Sequence, residues 1–289
     1  MTTEVSSIPI LRTAEETSDK ARQWLADGDR VVLVPTMGAL HEGHVSLIRL
    51  ATGAGRKVVV SIFVNPTQFG AGEDLARYPR DFDGDLAKCS SAGADLVFAP
   101  SAAEMYPSGC STTIEPPAIA GVLEGEFRPG HFAGVCTVVA KLFAITRCDI
   151  AVFGRKDYQQ ARVIETMTRD LCLPVELEFG ETIRESGGLA MSSRNAYLNE
   201  DQRQRALAIS EVLAVARDSF LEGTRTSQDL EQIMVMGLRG RVDSIDYAAV
   251  VHPETLGPRN AEDPAVALIA ARIGATRLID NRDLHARDQ

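Results

Sequence analysis

Two histidines three residues apart, His41 and His44, stand in the segment PTMGALHEGH (Pro35–His44), directly after the apolar run VVLV. This order predicts a buried strand, a glycine-containing turn and the first turn of a helix. Free backbone N–H groups at a helix start favour phosphate, and side chains at this spacing lie on one side of the helix. Both imidazoles can therefore donate hydrogen bonds to a triphosphate. The alternatives are two partly exposed surface histidines or a zinc site, and zinc is disfavoured because no third ligand is evident.

Two further clusters carry positive charge that could meet phosphates. The first, FGRKDYQQ (Phe153–Gln160), follows an apolar run; Lys156 can reach a phosphate, and Asp157 can accept from a ribose hydroxyl or orient the lysine. The second, LAMSSRN (Leu189–Asn195), brings two serine hydroxyls and the Arg194 guanidinium, which suits a mobile loop closing over a triphosphate. A solvated helix start and a helix N-cap are the plainer interpretations of these clusters.

Neutral amides and one arginine in two other loops favour a polar organic substrate beside the nucleotide. Asn65 and Gln68 stand in SIFVNPTQF at another strand end, and Arg128 precedes His131 in the glycine-rich loop EGEFRPGHFAGV. Amides can bind polar groups without competing for phosphates, while Arg128 can meet a carboxylate. Turn formation is the alternative for the amides, and His131 can serve only to fix its loop.

An alternating acidic run, Asp81, Asp83 and Asp85, is open to two interpretations. It could hold Mg²⁺, and it could equally be an exposed helix start enriched in aspartate. Magnesium is expected to arrive with ATP and to be held mainly by the phosphates. The metal ligands are therefore left unassigned.

The elements that must carry these residues alternate in type along the chain. Short β-branched runs predict strands, and longer helical patterns lie between most of them. This alternation predicts a Rossmann-like α/β fold with a doubly wound parallel sheet, which binds ligands at the carboxyl ends of its strands. The predicted strands are Val31–Val34, Val58–Val64, Leu96–Phe98, Ile150–Phe153 and Val175–Phe179, and the predicted helices are Leu47–Leu50, Asp81–Ala92, Val135–Ile145 and Gln159–Leu171.

From Ile183 onward the pattern changes, because a polar turn, RESGG, leads into a long amphipathic helix pattern. We therefore predict a Rossmann-like domain over residues 1–182 and a smaller C-terminal α+β domain over residues 183–289 that closes over the site. The elements predicted for the second domain are helices Glu200–Glu222 and Ser227–Arg239 and strands Ser244–Val251 and Ala265–Ala271.

The composition of the 289-residue chain indicates which kinds of partner and which cell compartment to expect. A formal charge of −10 repels polyanions, so no nucleic-acid partner is expected, although a few converging cations can still bind ATP. The five cysteines are odd in number and lack a C-x-x-C pair, which predicts core thiols in a reducing compartment. The N-terminal MTTEVSSIPI lacks a leader pattern and no apolar run approaches a membrane span, so we expect a cytoplasmic protein without a membrane partner.

Six blocks of the sequence resemble, in order, those of the pantoate–β-alanine ligase family: PTMGALHEGH, FVNPTQF, EGEFRPGHFAGV, FGRKDYQQ, GLAMSSRNAYL and IGATRLIDN. That family is part of the nucleotidyltransferase-like superfamily with an H-x-G-H element. The resemblance implies that ATP, (R)-pantoate and β-alanine give pantothenate, AMP and pyrophosphate through an acyl adenylate, with Mg²⁺. It also implies a homodimer.

Residue by residue, the resemblance implies catalytic roles for His44 as the proton donor and for His41, Lys156 and Arg194. It places pantoate at Gln68 and Gln160, with β-alanine also near Gln68, and the residues themselves suggest Asn65 and Arg128 as further pantoate ligands. The implied ATP-binding residues are Pro35, Thr36, Met37, Gly38, His41, Gly43, His44, Gly154, Arg155, Lys156, Asp157, Ile183, Met191, Ser192, Ser193 and Arg194.

Arg155 departs from the pattern, since many relatives have glutamate there, and its added positive charge leaves the role of this side chain open. Three other functions share parts of the pattern. A cytidylyltransferase would retain the nucleotide on its product, and an aminoacyl-tRNA synthetase relative would need an anticodon-binding domain and a less acidic surface. A non-catalytic nucleotide sensor would bind ATP without releasing pyrophosphate.

Overall fold

The computed structural model describes residues 8–224 and 226–285. Residues 1–7, which carry most of the segment used to predict the absence of a leader, lie outside the described part, as do the last residues of the second predicted domain. Within the described ranges, no helix combines the length and apolar character needed to cross a membrane.

The strands form two separate sheets. In the larger, six-stranded sheet the order is β1-β4-β3-β2-β5-β6 and every neighbouring pair is parallel. The smaller sheet, with order β7-β8-β9, is antiparallel. The strands are β1 (Ile10–Leu11), β2 (Arg30–Thr36), β3 (Arg56–Ile62), β4 (Leu96–Phe98), β5 (Ile150–Gly154), β6 (Glu176–Gly180), β7 (Ser244–Val251), β8 (Val266–Ile273) and β9 (Thr276–Asp283).

Helices cover the large sheet on both faces, and two long helices pack on the small one. The α-helices are α1 (Ala14–Ala26), α2 (Glu42–Ala51), α3 (Phe82–Ala92), α4 (Ala102–Met105), α5 (Glu124–Phe127), α6 (His131–Thr146), α7 (Tyr158–Asp170), α8 (Glu200–Leu221) and α9 (Ser227–Leu238). Short 3₁₀ helices span Pro66–Gln68, Asp74–Arg77, Ala118–Gly121 and Ser193–Tyr197.

The central strand β2 shows why the sheet is wound on both sides. Val31 and Leu33 pack into one core with α1, α6 and α7, whereas Val32 and Val34 pack into a second core with α2 and α3. Successive side chains of a strand point to opposite faces, so a strand covered on both faces must be apolar throughout. The continuous run VVLV meets this requirement, and the predicted doubly wound α/β fold is confirmed.

Most element boundaries lie within a few residues of the prediction, with instructive exceptions. The strand predicted at Val58–Val64 spans Arg56–Ile62, since its backbone pairs with β2 from Arg56 onward; the polar residues Arg56 and Lys57 at this end form ion pairs with Glu178 and Asp95. Strand β9 was not predicted, since charged residues interrupt the apolar alternation of TRLIDNRD. Strand β1 and helices α1, α4 and α5 were not predicted either.

The site is positioned by the junction between β2 and β5. From β2 the chain adds β3 and β4 on one side of the sheet and later adds β5 and β6 on the other, so the strand order reverses there. Registered pairing of β2 with β5 ends at Leu33 and Ala151, although the strands continue to Thr36 and Gly154. The strands therefore part at their carboxyl ends, where doubly wound sheets bind their ligands.

Candidate active site

A cavity opens where β2 and β5 part, and the small sheet contributes Leu268 and Ile279 to its lining. The side chains of the predicted nucleotide and substrate residues converge here from both halves of the chain. Those that line the cavity are Pro35, Thr36, Met37, His41, Gly43, His44, Asn65, Gln68, Arg128, Gly154, Lys156, Asp157, Gln160, Ile183, Met191, Ser192, Ser193 and Arg194.

Two predicted nucleotide residues, Gly38 and Arg155, lie outside the cavity lining. Gly38 is a turn residue with φ 84°, and a Cβ there would stand 3.0 Å from a carboxylate oxygen of Asp85. Only glycine fits that combination of left-handed backbone and close approach. Arg155 forms an ion pair with Glu181 at 3.1 Å and lies over the Phe179 ring.

The two histidines form a capping box at the start of α2. The Gly43 N–H donates to Nδ1 of His41 at 3.1 Å, and the His41 N–H donates to Nδ1 of His44 at 3.3 Å. An imidazole nitrogen that accepts a hydrogen bond carries no proton, so each neutral ring carries its proton on Nε2. The H-x-x-H spacing therefore fixes both tautomers and leaves two Nε2–H groups as donors.

Both imidazoles are held in the neutral form. Burial lowers the pKa of His41 to about 4, and the nearby Lys156 ammonium acts in the same direction. Burial and the adjacent His41 ring, whose centroid lies 4.1 Å away, lower the pKa of His44 to about 3. At neutral pH these side chains are hydrogen-bond donors without a positive charge.

A buried carboxylate shapes the turn that precedes the histidines. Asp85 of α3 accepts from the N–H groups of Ala39 at 2.8 Å and Leu40 at 2.7 Å. These bonds hold Ala39 in a left-handed conformation, with φ 49°, and Ser193 Oγ donates to the Ala39 carbonyl at 3.0 Å. Both Asp85 oxygens thus serve the turn, while Asp81 caps α3.

The cation side of the cavity begins at Lys156, in the turn between β5 and α7. Its ammonium lies 3.6 Å from the Asp157 carboxylate. Burial alone would raise the pKa of Asp157, but Lys156 and Arg194 together lower it. Asp157 therefore stays ionised and can orient the lysine or accept from a hydroxyl group.

Arg194 is fixed by a carboxylate distant in sequence. Its Nε and one terminal nitrogen donate to the two oxygens of Asp74 at 2.9 and 2.8 Å, a bidentate geometry. The Tyr78 ring lies 5.8 Å from the guanidinium carbon. Since Asp74 occupies one edge of the guanidinium, the remaining N–H groups are available on the cavity side.

Arg128 makes a matching contact with Glu73, the residue before Asp74. It donates to both oxygens of Glu73 at 2.8 Å and also contacts the Gln68 carbonyl and the His131 ring. His131 in turn lies 2.9 Å from the Gln68 carbonyl oxygen, and its pKa is lowered to about 4 by burial and by Arg128. These contacts fix the loop around Gln68.

The Gln68 side chain is oriented by its neighbours in the turn after β3. The Asn65 amide donates to Gln68 Oε1 at 3.1 Å and to the Gly134 carbonyl at 3.2 Å. A Cβ on Gly134 would stand 2.4 Å from the Thr67 carbonyl oxygen, so glycine permits α6 to approach this turn. Asn65 acts here as a support for Gln68.

Adjacent glutamines in α7 have different surroundings. Gln159 is 3% exposed and bonds the backbone of Glu124, Ile119 and Val122, which ties down the loop before α5. Gln160 is less buried and has no such backbone bonds among those found in the described part of the chain, although both glutamines line the cavity. The sequence analysis pointed to Gln160 alone and gave no sign of the backbone bonds of Gln159.

The sequence of the chain matches a known family model over nearly its whole length. The model described as pantoate-beta-alanine ligase matches residues 9–283. The chain belongs to this family. Curated relatives named pantothenate synthetase include those of Rhodopirellula baltica, 53% identical over 274 residues, and Myxococcus xanthus, 49% identical over 279 residues. The alignments cover 92% and 95% of this chain and 96% of each relative.

Solved structures of family members agree with the fold. Pantothenate synthetase from Thermus thermophilus has a TM-score of 0.90 at 41% identity, with 96% of this chain and 100% of that chain covered. Pantoate-beta-alanine ligase from Francisella tularensis, complexed with beta-gamma ATP and beta-alanine, has a TM-score of 0.79 at 32% identity, and the match covers 97% and 99% of the two chains. The similarity extends over both sheets of the ligase fold.

Sequence reasoning missed several residues that support the ligase cavity. Glu73 and Asp74 hold the two arginines, and Asp85 holds the turn before His41. The acidic pair in GAGEDLARYPR was the available signal for the first two. Asp85 was noticed only as part of a metal-like run, because its partners are backbone groups that a sequence pattern does not reveal.

Proposed function

We propose that this chain condenses (R)-pantoate with β-alanine at the expense of ATP, giving pantothenate, AMP and pyrophosphate. The observation that carries the proposal is the convergence of two neutral histidine donors, two cations and the Gln68 and Gln160 amides on one cavity. Membership of the pantoate-beta-alanine ligase family supports the choice of substrates.

The reaction needs two steps because a carboxylate is a poor electrophile towards amines. In the first, a pantoate carboxylate oxygen attacks the α-phosphorus of ATP, and the bond from that phosphorus to pyrophosphate breaks. In the second, the β-alanine nitrogen attacks the acyl carbon, the bond to AMP breaks and the nitrogen loses a proton. Catalysis then consists mainly of positioning and countercharge.

Lys156 and Arg194 are proposed to neutralise the charge that develops on the α-phosphate and the departing pyrophosphate. His41 and His44 are proposed to donate hydrogen bonds from Nε2 to the phosphates, with His44 the proposed catalytic member of the pair. The lowered pKa of each ring favours a hydrogen-bond donor over an imidazolium acid.

The nucleotide is proposed to lie along the ends of β2 and β5 and under the segment Met191–Arg194. The positive end of the α2 helix dipole suits the phosphates, and Asp157 suits a ribose hydroxyl. The residues proposed to border ATP are Pro35, Thr36, Met37, His41, Gly43, His44, Gly154, Lys156, Asp157, Ile183, Met191, Ser192, Ser193 and Arg194, whereas Gly38 shapes the adjoining turn and Arg155 lies outside the cavity lining.

Pantoate is proposed to contact the Gln68 and Gln160 amides, with β-alanine entering beside Gln68. Asn65 and Arg128 belong to the same substrate side. Their bonds to Gln68 and Glu73 support a role in holding Gln68 in place, and Arg128, which also lines the cavity, adds positive charge that would attract a carboxylate.

Residues 183–289 are proposed to form a domain that closes over the site, hinged near Ile183. The ion pair of Arg184 with Asp280, at 2.6 Å, supports this boundary because it joins the connecting segment to the small sheet. The family resemblance further supports a cytoplasmic homodimer that acts on small molecules.

Magnesium is proposed to enter with ATP. In residues 8–224 and 226–285, no group of three or more His, Cys, Asp or Glu side chains is placed to hold a metal ion. Asp85 is occupied by two backbone N–H groups. The cation would therefore be held chiefly by phosphate oxygens, whose charge it would offset.

Pyrophosphate release tests the proposal. With ATP and pantoate alone, we expect a burst of pyrophosphate near one per active site; adding β-alanine should give continuous release together with AMP and pantothenate. Retention of the nucleotide on the product would point to a cytidylyltransferase-like transfer. ATP binding without any pantoate-dependent pyrophosphate would point to a nucleotide sensor.

A further inference from the structure

The motif IGATRLIDN (Ile273–Asn281) received no role in the proposed reaction, yet its polar side chains bond residues of several other elements. It forms the turn before β9 and most of that strand. Arg277 donates to both carboxylate oxygens of Glu124 at 2.7 Å, and Asp280 accepts two bonds from Arg184 at 2.6 and 3.0 Å. Asn281, the last residue of the motif, reaches the turn that carries Lys156.

The Asn281 side-chain amide spans two consecutive peptide groups. Its Nδ2 donates to the carbonyl oxygen of Arg155 at 3.0 Å and to that of Lys156 at 2.8 Å. The side chain is buried, and the Asn281 N–H is itself fixed by a 2.8 Å bond to Asp280 Oδ1. A rigid, buried donor thus holds the backbone on both sides of the Lys156 Cα.

The other edge of the same turn is fixed by the large sheet. The Arg155 N–H donates to the Gly180 carbonyl at 2.9 Å, which continues the pairing of β5 with β6. This contact lies directly before Lys156, so the lysine is held from the large sheet on its N-terminal side. Lys156 then enters the cavity with only 19% of its side chain exposed. The place of the ammonium group therefore depends on backbone held from both sheets.

We infer that Asn281 is a positioning residue that fixes the backbone of Lys156 from the small sheet and so sets where the ammonium group meets the triphosphate. The inference rests on the proposed function, because it gives Lys156 a place in adenylation. Asn281 also lines the cavity, but the two carbonyl oxygens already take up both N–H groups of its amide. The position of the Lys156 backbone therefore depends on how the C-terminal sheet packs against the turn that carries it.

Replacement of Asn281 in the full chain tests the inference. We expect Asn281→Ala to lower the maximal rate of pantoate-dependent pyrophosphate release about 10- to 100-fold, since small misplacements of catalytic groups have effects of that size. Asn281→Asp should be slower still, because a carboxylate offers no N–H donor and repels the two carbonyl oxygens. The KM for pantoate should change little, since Gln68 and Gln160 lie on other elements.

A double-mutant cycle separates positioning from general destabilisation. If Asn281 acts through Lys156, Lys156→Ala with Asn281→Ala should be no slower than Lys156→Ala alone. Ile273→Ala is the matched control: it opens the core of the same small sheet, so it should lower the melting temperature without a comparable loss of maximal rate.

Two results would overturn the inference. One is an Asn281→Ala enzyme with the wild-type maximal rate, and the other is a double variant in which the two losses multiply in full. Absence of pyrophosphate release from the wild-type protein would instead reject the proposed function, so the two failures are distinguishable.

Discussion

The two sides of the cavity are held in place by contacts of very different range. On the histidine side, His41 and His44 accept hydrogen bonds from backbone groups two and three residues away. On the cation side, Arg128 pairs with Glu73 and Arg194 with Asp74, at separations of 55 and 120 residues. The orientation of the two imidazoles is therefore specified by a local motif, whereas the two guanidinium groups are fixed only when distant segments meet.

The two sides of the cavity also differ in their charge. The histidine side is neutral at pH 7, because burial lowers the pKa values of His41 and His44 to about 4 and about 3. The cation side keeps its charge beside carboxylates that hold its geometry. A triphosphate would thus receive hydrogen bonds from neutral donors on one side and countercharge on the other. Substitutions on the two sides should therefore differ in the size and the pH dependence of their effects on adenylation.

The largest effect is expected on the cation side, from Lys156→Ala. Loss of a preorganised charge at the α-phosphate should slow adenylation roughly 100- to 1,000-fold. The melting temperature should hardly change, since Lys156 pairs only loosely with Asp157 at 3.6 Å. Steady-state pyrophosphate release measures the rate, and Arg169→Ala, which removes an exposed charge from the far end of α7, is the control. Near-normal turnover would remove Lys156 from the mechanism.

Arg194→Ala should come next, with adenylation roughly 100-fold slower. Asp74→Asn tests whether the long-range partner matters: it leaves the guanidinium in place but weakens the bidentate bond, so a loss of about tenfold is expected. Rates of pyrophosphate release at saturating ATP measure the loss in both variants.

An Asp74→Asn enzyme faster than the wild-type protein would mean that Asp74 competes with phosphate for Arg194. Asp74 would then not be a support for the cation side of the cavity.

On the histidine side, His44→Ala should slow adenylation about 10- to 100-fold, the range for a hydrogen bond to a charged group. Because the ring is neutral at pH 7, the wild-type rate should show no histidine titration between about pH 6 and pH 8. The pH profile of kcat/KM measures this directly. An acid limb centred near about pH 6.5 that disappears in His44→Gln would show that an imidazolium donates a proton.

The smallest expected effect is that of acid pH on the free energy of unfolding, through His41 and His44. Unfolded histidine binds a proton below about pH 6.5, whereas folded His41 and His44 stay neutral down to about pH 4 and pH 3. Their contribution is therefore complete above about pH 6.5 and is lost as the pH falls toward about 4. Between about pH 7.5 and pH 5.5 the loss should be about 1 kcal/mol per histidine.

Urea unfolding at both pH values measures that loss. The variant His41→Asn with His44→Gln keeps polar side chains at the helix start but removes both titrating rings. It should lose less stability on acidification than the wild-type protein. Equal losses in the two proteins would show that these rings are not kept neutral by the fold.

Much of the fold could be predicted because its signals are local. The run VVLV identified a strand buried on both faces, and the spacing of His41 and His44 predicted a helix start with both rings on one side. Strand β9 was not predicted, since the half-buried Arg277 and the buried Asp280 and Asn281 find their hydrogen-bond partners in other elements. A pattern that depends on such partners carries no local periodicity.

By itself, the sequence determined the α/β class, the strand–turn–helix at PTMGALHEGH and the membership of the family, because these depend on local periodicity and on the order of motifs. Only the tertiary structure decided which carboxylates hold Arg128 and Arg194, that Asp85 accepts from a backbone turn, and that Gln159 bonds the backbone of the loop before α5. The physical reason is the distance along the chain between the residues that contact each other. A capping box closes within one helical turn, whereas an ion pair or a buried amide finds its partner only after the sheets have set which distant residues meet.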